Sequence, residues 1–171
     1  MRKGGGKGKG SGFERDVCVA LSKWITNGER IDCLWRSAMS GGRATVSKGL
    51  VRQAGDITSV SPEGHILTDV LYMECKFLKD ISLDGLIKGN GNLLAIWLKT
   101  CVEATKYQKT PVLIFKQNHF PICFVTTDAG ISYLKIPRKM VIIKSYTMNM
   151  VRFDKLIKQP FVLGIKNGSV K

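Results

Sequence analysis

Acidic residues are scarce in this chain. Thirteen aspartates and glutamates stand against 27 lysines and arginines in 171 residues, giving a net charge of +14 and an isoelectric point near 9.8. Such a balance excludes a neutral surface and points to a polyanionic partner. Nucleic acid is expected ahead of a membrane, because no basic amphipathic helix of the kind that lies on lipid is evident. Histidine is nearly absent: His65 and His119 are the only two, too few for a histidine-based nuclease site, and both read as strand-end or turn residues. The five cysteines are Cys18, Cys33, Cys75, Cys101 and Cys123. Their number is odd and none has C-x-x-C spacing, so neither a disulfide framework nor a zinc site is expected, and the protein reads as reduced. No apolar run reaches the roughly 18 residues of a membrane span. No apolar stretch follows the basic N-terminus, so a secretory signal is not expected and the protein should act inside the cell.

Apolar residues make up 44% of the chain, enough for a buried core in one domain. Residues 1–10 are glycine and lysine with one arginine, which predicts a flexible basic arm. Lys7 and Lys9 in that arm could lie along phosphates, or the arm could serve solubility alone. Its glycines mimic a phosphate-binding loop, but no strand precedes them, so no nucleotide cofactor is expected. Residues 11–165 read as the single folded domain and 166–171 as a basic tail.

Phe13, Val17, Ala20, Leu21, Trp24 and Ile25 fall on one face at helical spacing, predicting a helix from Ser11 to Asn27. Ser11 and Glu14 fit a capping box at its start. Cys33–Ala38 reads as a strand, Met39–Thr45 as a glycine loop, Lys79–Asn92 as a loop and Leu93–Gln108 as a second helix. Pro111–Lys116, Pro121–Thr126 and Met140–Lys144 read as strands, and Met150–Ile157 as a short helix. Asp128 has no partner motif and reads as a turn or helix cap.

Two apolar runs carry the chemistry, Asp56–Val60 and Val70–Phe77. Ser61-Pro62-Glu63-Gly64 between them is turn chemistry, so an antiparallel pair is predicted. Side chains alternate along a strand, which puts Glu74 and Lys76 on one face, about 7 Å apart. Asp56 on the neighbouring strand would complete a set of two carboxylates and one ammonium. Like charges held close need a cation between them, and a hard divalent ion such as Mg²⁺ suits oxygen ligands.

Asp56, Glu74 and Lys76 resemble the signature of PD-(D/E)xK nucleases, with Gly55 where that family usually has proline. Lys9-Gly10-Ser11-Gly12-Phe13-Glu14-Arg15 looks like the N-terminal helix of archaeal-type Holliday junction resolvases. In that family the glutamate serves the active site and the arginine the DNA. An arginine-bearing strand leading to a Ser-Gly-Gly loop near the scissile phosphate is matched by Arg36, Ser40 and Arg43; Lys48 and Arg52 extend the basic stretch. The Asp56-to-Glu74 stretch is longer than usual there, and a phage or mobile-element relative fits.

The resemblance implies an α/β restriction-endonuclease-like core, a central mixed β-sheet flanked by helices. It also implies Mg²⁺, with Mn²⁺ substituting, held by Asp56, Glu74 and the Cys75 carbonyl, with Glu14 joining the site. Lys76 would act in catalysis, and Arg15, Arg36, Ser40, Arg43, Lys48 and Arg52 would bind DNA. The expected activity is a homodimeric endonuclease on branched or four-way DNA. Restriction-type nucleases, recombination exonucleases and a non-catalytic basic DNA-binding protein remain as alternatives, and Glu14 keeps its capping reading beside its site reading.

Overall fold

The computed structural model describes residues 6–37, 54–145 and 147–164. Its strands form a mixed sheet with helices on both faces, the restriction-endonuclease-like arrangement that the sequence predicts. In chain order the elements are α1 (Gly6–Ile25), β1 (Leu34–Arg36), β2 (Ile57–Ser59), α2 (Pro62–Thr68), β3 (Leu71–Leu78), α3 (Asp84–Ile87) and α4 (Asn92–Lys106). They continue with β4 (Thr110–Gln117), β5 (Cys123–Thr126), α5 (Asp128–Tyr133), β6 (Val141–Ser145), β7 (Met148–Arg152) and α6 (Phe153–Leu156).

Five strands run in the order β3-β4-β5-β7-β6, and β1 and β2 form an antiparallel ribbon beside β3. The parallel pair β3–β4 is joined by the crossover through α4, and the remaining pairs are antiparallel. β4 shows why the sheet is covered on both faces. Its run Val112-Leu113-Ile114-Phe115 is buried throughout, as a strand with helices above and below requires. Val112 and Ile114 join Phe13, Val17 and Leu21 of α1 on one face. Leu113 and Phe115 join Leu94 and Trp97 of α4 on the other.

Several elements differ from the sequence reading. Helix α1 begins at Gly6, five residues before Ser11, so Ser11 is not its N-cap and the capping box does not form. Ser61–Gly64 is not a hairpin turn: Pro62 opens α2 at the helix position where its missing N–H costs nothing. The helix carries His65, and it reverses the path between the two motif strands. β2 therefore pairs antiparallel with β1, and the chain meets β3 only at a parallel bridge, Gly55 to Met73. The 79–92 connection contains α3. Residues 148–152 extend the sheet as β7, and only Phe153–Leu156 is helical; Met148 and Met150 fill one face of the sheet and Val151 the other. Thr127, not Asp128, caps α5, its hydroxyl accepting the Gly130 N–H.

Gly55 sits where β2 and β3 converge. Its φ is +94°, and a Cβ there would stand 2.6 Å from the Met73 carbonyl oxygen. Proline, the usual residue before this aspartate in the resembling nucleases, is fixed near φ −65° and cannot adopt that backbone. Gly55→Ala should destabilise the fold by about 3 kcal/mol, from backbone strain and a clash with a carbonyl that cannot swing aside. Gly55→Pro should cost at least as much. Urea unfolding midpoints check this, and an unaffected Gly55→Pro protein would contradict the assigned conformation.

Candidate active site

Asp56 follows Gly55 at the opening between β2 and β3. Its backbone N–H donates to the Met73 carbonyl at 2.8 Å, and its carbonyl accepts the Ser37 N–H at 2.8 Å. The residue is thus tied to strands on both sides. Its Oδ2 accepts the Cys75 N–H at 2.8 Å. In a strand the N–H and C=O of one residue leave from the same edge, so the Cys75 carbonyl faces the same opening. The Cys75 side chain points the other way, into the core with Val17 and Cys18.

Glu74 and Lys76 project from β3 on the face opposite Met73 and Cys75. Their side chains form a close ion pair, and Lys76 Nζ lies 3.8 Å from Asp56 Oδ2. One ammonium thus stands between two carboxylates. Burial opposes the charge on Lys76, but the hydrogen bond and attraction of Glu74 outweigh it and raise its pKa. Asp56 is only 7% exposed. Burial, followed by repulsion from Glu74, pushes its carboxyl up to about 6 despite the Cys75 N–H and Lys76. The lysine is committed first to Glu74 and only secondarily to Asp56.

α1 delivers the third carboxylate. Glu14 lies one residue after Phe13, whose ring is anchored in the core edge-on to Phe77. Glu14 Oε2 accepts from Arg36 Nε at 2.9 Å. The pair joins α1 to the last residue of β1, and Glu14 contributes to the electrostatic load on Asp56. Sequence reasoning missed Tyr72, whose hydroxyl donates to Glu74 Oε2 at 3.4 Å and whose ring stacks on Tyr107 at 6.0 Å. The signal was present: Tyr72 precedes Glu74 by two residues and shares its face.

Asp56, Glu74, Cys75 and Lys76 are therefore brought together, with Glu14 and Arg36 paired alongside. Arg15 and Lys9 are exposed on α1. Ser40, Arg43, Lys48, Arg52 and the Lys7 side chain lie outside the described residues.

Among the described residues no group of three His, Cys, Asp or Glu side chains could by itself hold a metal ion. The donors at the opening, two carboxylates and a backbone carbonyl, are hard oxygens. Mg²⁺ is commonly bound through one or two carboxylates, with waters and substrate phosphates completing its shell. The residues fit that mode and do not fit an all-protein cage.

The raised carboxyl of Asp56 has a consequence for stability. The folded protein keeps that proton up to about pH 6, whereas an unfolded aspartate releases it near the ordinary 3.8. Between those values the folded state binds more protons, so stability falls as pH rises through the window. Asparagine keeps an oxygen for the Cys75 N–H but has no charge to bury. Metal-free Asp56→Asn should therefore be the more stable protein above pH 6, by on the order of 2 kcal/mol, with the gap closing toward pH 4. Denaturation of both proteins across pH 4–8 in EDTA checks this. A gap independent of pH would mean that Asp56 is not buried under charge repulsion.

Comparison with known proteins gives the chain a family. No curated protein and no solved structure matches the chain, and among the described residues no helix is long and apolar enough to cross a membrane. A family model described as "Phage putative PDDEXK endonuclease" matches residues 5–167, a span holding the whole sheet and every carboxylate of the site. The chain belongs to that phage endonuclease family and is a nuclease of the PD-(D/E)xK type.

Proposed function

We propose that this protein is a Mg²⁺-dependent, structure-selective endonuclease that cuts branched DNA, with the four-way junction as its preferred substrate. The observation that carries the catalytic part is the convergence of Asp56 and Glu74 with Lys76 between them. Asp56 and Glu74, with the Cys75 carbonyl, would hold the ion, and Mn²⁺ should replace it. When bound, such an ion polarises a phosphate oxygen and lowers the pKa of an attacking water.

The chain's own groups do the rest. Lys76, 39% exposed at its side chain, presents its ammonium to the opening, where it orients the water or offsets charge on the phosphoryl group. Tyr72 restrains Glu74 from one side. Arg36 holds Glu14 toward the site and keeps a third of its own side chain exposed to reach a phosphate; its fork geometry suits two oxygens at once. Glu14 would hold a second ion or a metal-bound water.

Selectivity for junctions rests on charge and on the order of the motifs. A net charge of +14 favours the substrate that brings the most phosphate backbones within reach, and the contacts carry no base sequence. Matched nicks on two strands need two active sites, so the acting form is a C2 dimer. The proposed setting is the inside of a microbial or virus-infected cell.

Four-way junction, linear duplex and plasmid incubated with Mg²⁺ should show paired nicks near the crossover, and EDTA should stop them. Asp56→Asn and Glu74→Gln should each lower cleavage at least a hundredfold while DNA binding in Ca²⁺ persists; wild-type rates in either variant would displace the site. Glu14→Gln should keep the fold and lose activity. Processive degradation of linear ends by a monomer would replace the junction reading with an exonuclease.

A further inference from the structure

Of the three tryptophans in the chain, two are interior. Trp24 is 5% exposed and donates its indole N–H to the Gln159 carbonyl; Trp97 is fully buried and donates to Thr147. Trp35 differs: it is 51% exposed. It is the middle residue of β1, paired with Thr58 of β2.

Its face can be read from the register. Leu34 and Ile57 on the ribbon, and Met73 and Cys75 on β3, belong to the core under α1. Trp35 and Thr58 alternate with Leu34 and Ile57, so they face the other way, as do Glu74 and Lys76 on β3. The Ser37–Asp56 hydrogen bond continues the ribbon's pairing, which makes Asp56 the diagonal cross-strand neighbour of Trp35, at about 7 to 8 Å between backbones. A large exposed ring thus stands beside the carboxylates, on their side of the sheet.

We propose that Trp35 is a substrate-positioning residue that stacks on an unpaired nucleobase of the DNA strand held at Asp56 and Glu74. This rests on the nuclease reading and deepens it, because it names the local structure the enzyme selects. A distance of about 7 to 8 Å is on the scale of one or two nucleotide steps along a strand. A phosphate at the carboxylates would therefore put a base one or two positions away over the indole. In continuous duplex that base is stacked on its neighbours and hidden from the ring. At a loop or a single strand it is free, at the crossover of a junction the interrupted stacking lets it open more easily than in continuous duplex, and a base on an aromatic ring binds regardless of its identity. The basic surface then supplies affinity for any DNA, and Trp35 supplies preference for strands with unpaired bases.

The two buried indoles leave Trp35 as the solvent-reachable fluorophore. The full-length protein in EDTA is titrated with oligothymidylate, with blunt duplex, and with the same duplex carrying an unpaired internal loop. Tryptophan emission and the anisotropy of labelled DNA are read together. Oligothymidylate and looped duplex should quench the emission saturably, and blunt duplex should not. Trp35→Phe should abolish the quench and keep the preference for unpaired strands within a few-fold. Trp35→Ala should lower that preference about tenfold, at an unchanged melting temperature. Equal quenching by blunt duplex, or a preference intact in Trp35→Ala, overturns the inference. So does a loss of dimer by light scattering in Trp35→Ala without any DNA-induced quench, which would assign the ring to a protein interface. A failure of the nuclease reading looks different: no anisotropy change with any DNA, or no cleavage with Mg²⁺, whatever Trp35 does.

Discussion

Two carboxylates compete for one lysine at the point where two strands part. Asp56 stands just ahead of β2 and Glu74 in the middle of β3, and Lys76 stands between them. The lysine neutralises one acid well and the other poorly. What remains is a buried carboxyl under repulsion, held in place by backbone hydrogen bonds on three sides. A divalent cation relieves that repulsion better than a single ammonium does. The unfavourable term in the resting protein is thus the same term that would give the site an affinity for a divalent ion under the proposed function.

The fold is arranged so that this tension can be held. A strand pair that stayed zipped would have no opening for a metal, and one that parted early would not bring Asp56 to Cys75. The bridge at Gly55 and Met73 meets both demands: one residue of close contact, then divergence. Helix α2 makes it possible by turning β2 and β3 into parallel neighbours, its Gly64 packed where a Cβ would be 2.5 Å from the Cys33 carbonyl. Proline before the aspartate would fix the chain in one way; a glycine with positive φ fixes it in another. The departure at Gly55 is therefore a different backbone solution that delivers the same carboxylate.

How much of this was legible follows from which signals are local. Alternation in β3 put Glu74 and Lys76 on one face, and the apolar run Pro111–Lys116 marked β4 as a strand; both are properties of one strand. The path between Asp56 and Glu74 was misread because Ser-Pro-Glu-Gly is equally a turn and the opening of a helix. Only the packing of Leu67 and Gly64 against the ribbon decides between them. The capping box at Ser11 and Glu14 failed for a related reason. The glycine-rich residues before it continue the helix, and Glu14 finds a stronger partner in Arg36, 22 residues away. β7 was read as helix because Met150 to Ile157 spans a strand and a helix that share one apolar run. Tyr72 and Trp35 were passed over because an aromatic in a strand is ordinarily core, and exposure is not written in the sequence.

The charge distribution gives the remaining step. At the site, Lys76 and Arg36 are already engaged with Glu74 and Glu14. They cannot be the source of long-range attraction for DNA, since each cancels a carboxylate in the resting state. That attraction must come from the excess of positive charge elsewhere on the chain, exposed residues such as Lys9 and Arg15 among them. The proposed function therefore implies different sets of basic residues for binding and for catalysis. The outer set sets affinity and its salt dependence. On the proposed function, the inner set would be freed when a divalent ion takes the carboxylates it now neutralises. Arg36 and Lys76 would then be available to a phosphate, which would couple their charge to correct seating of the substrate and not to mere proximity of DNA.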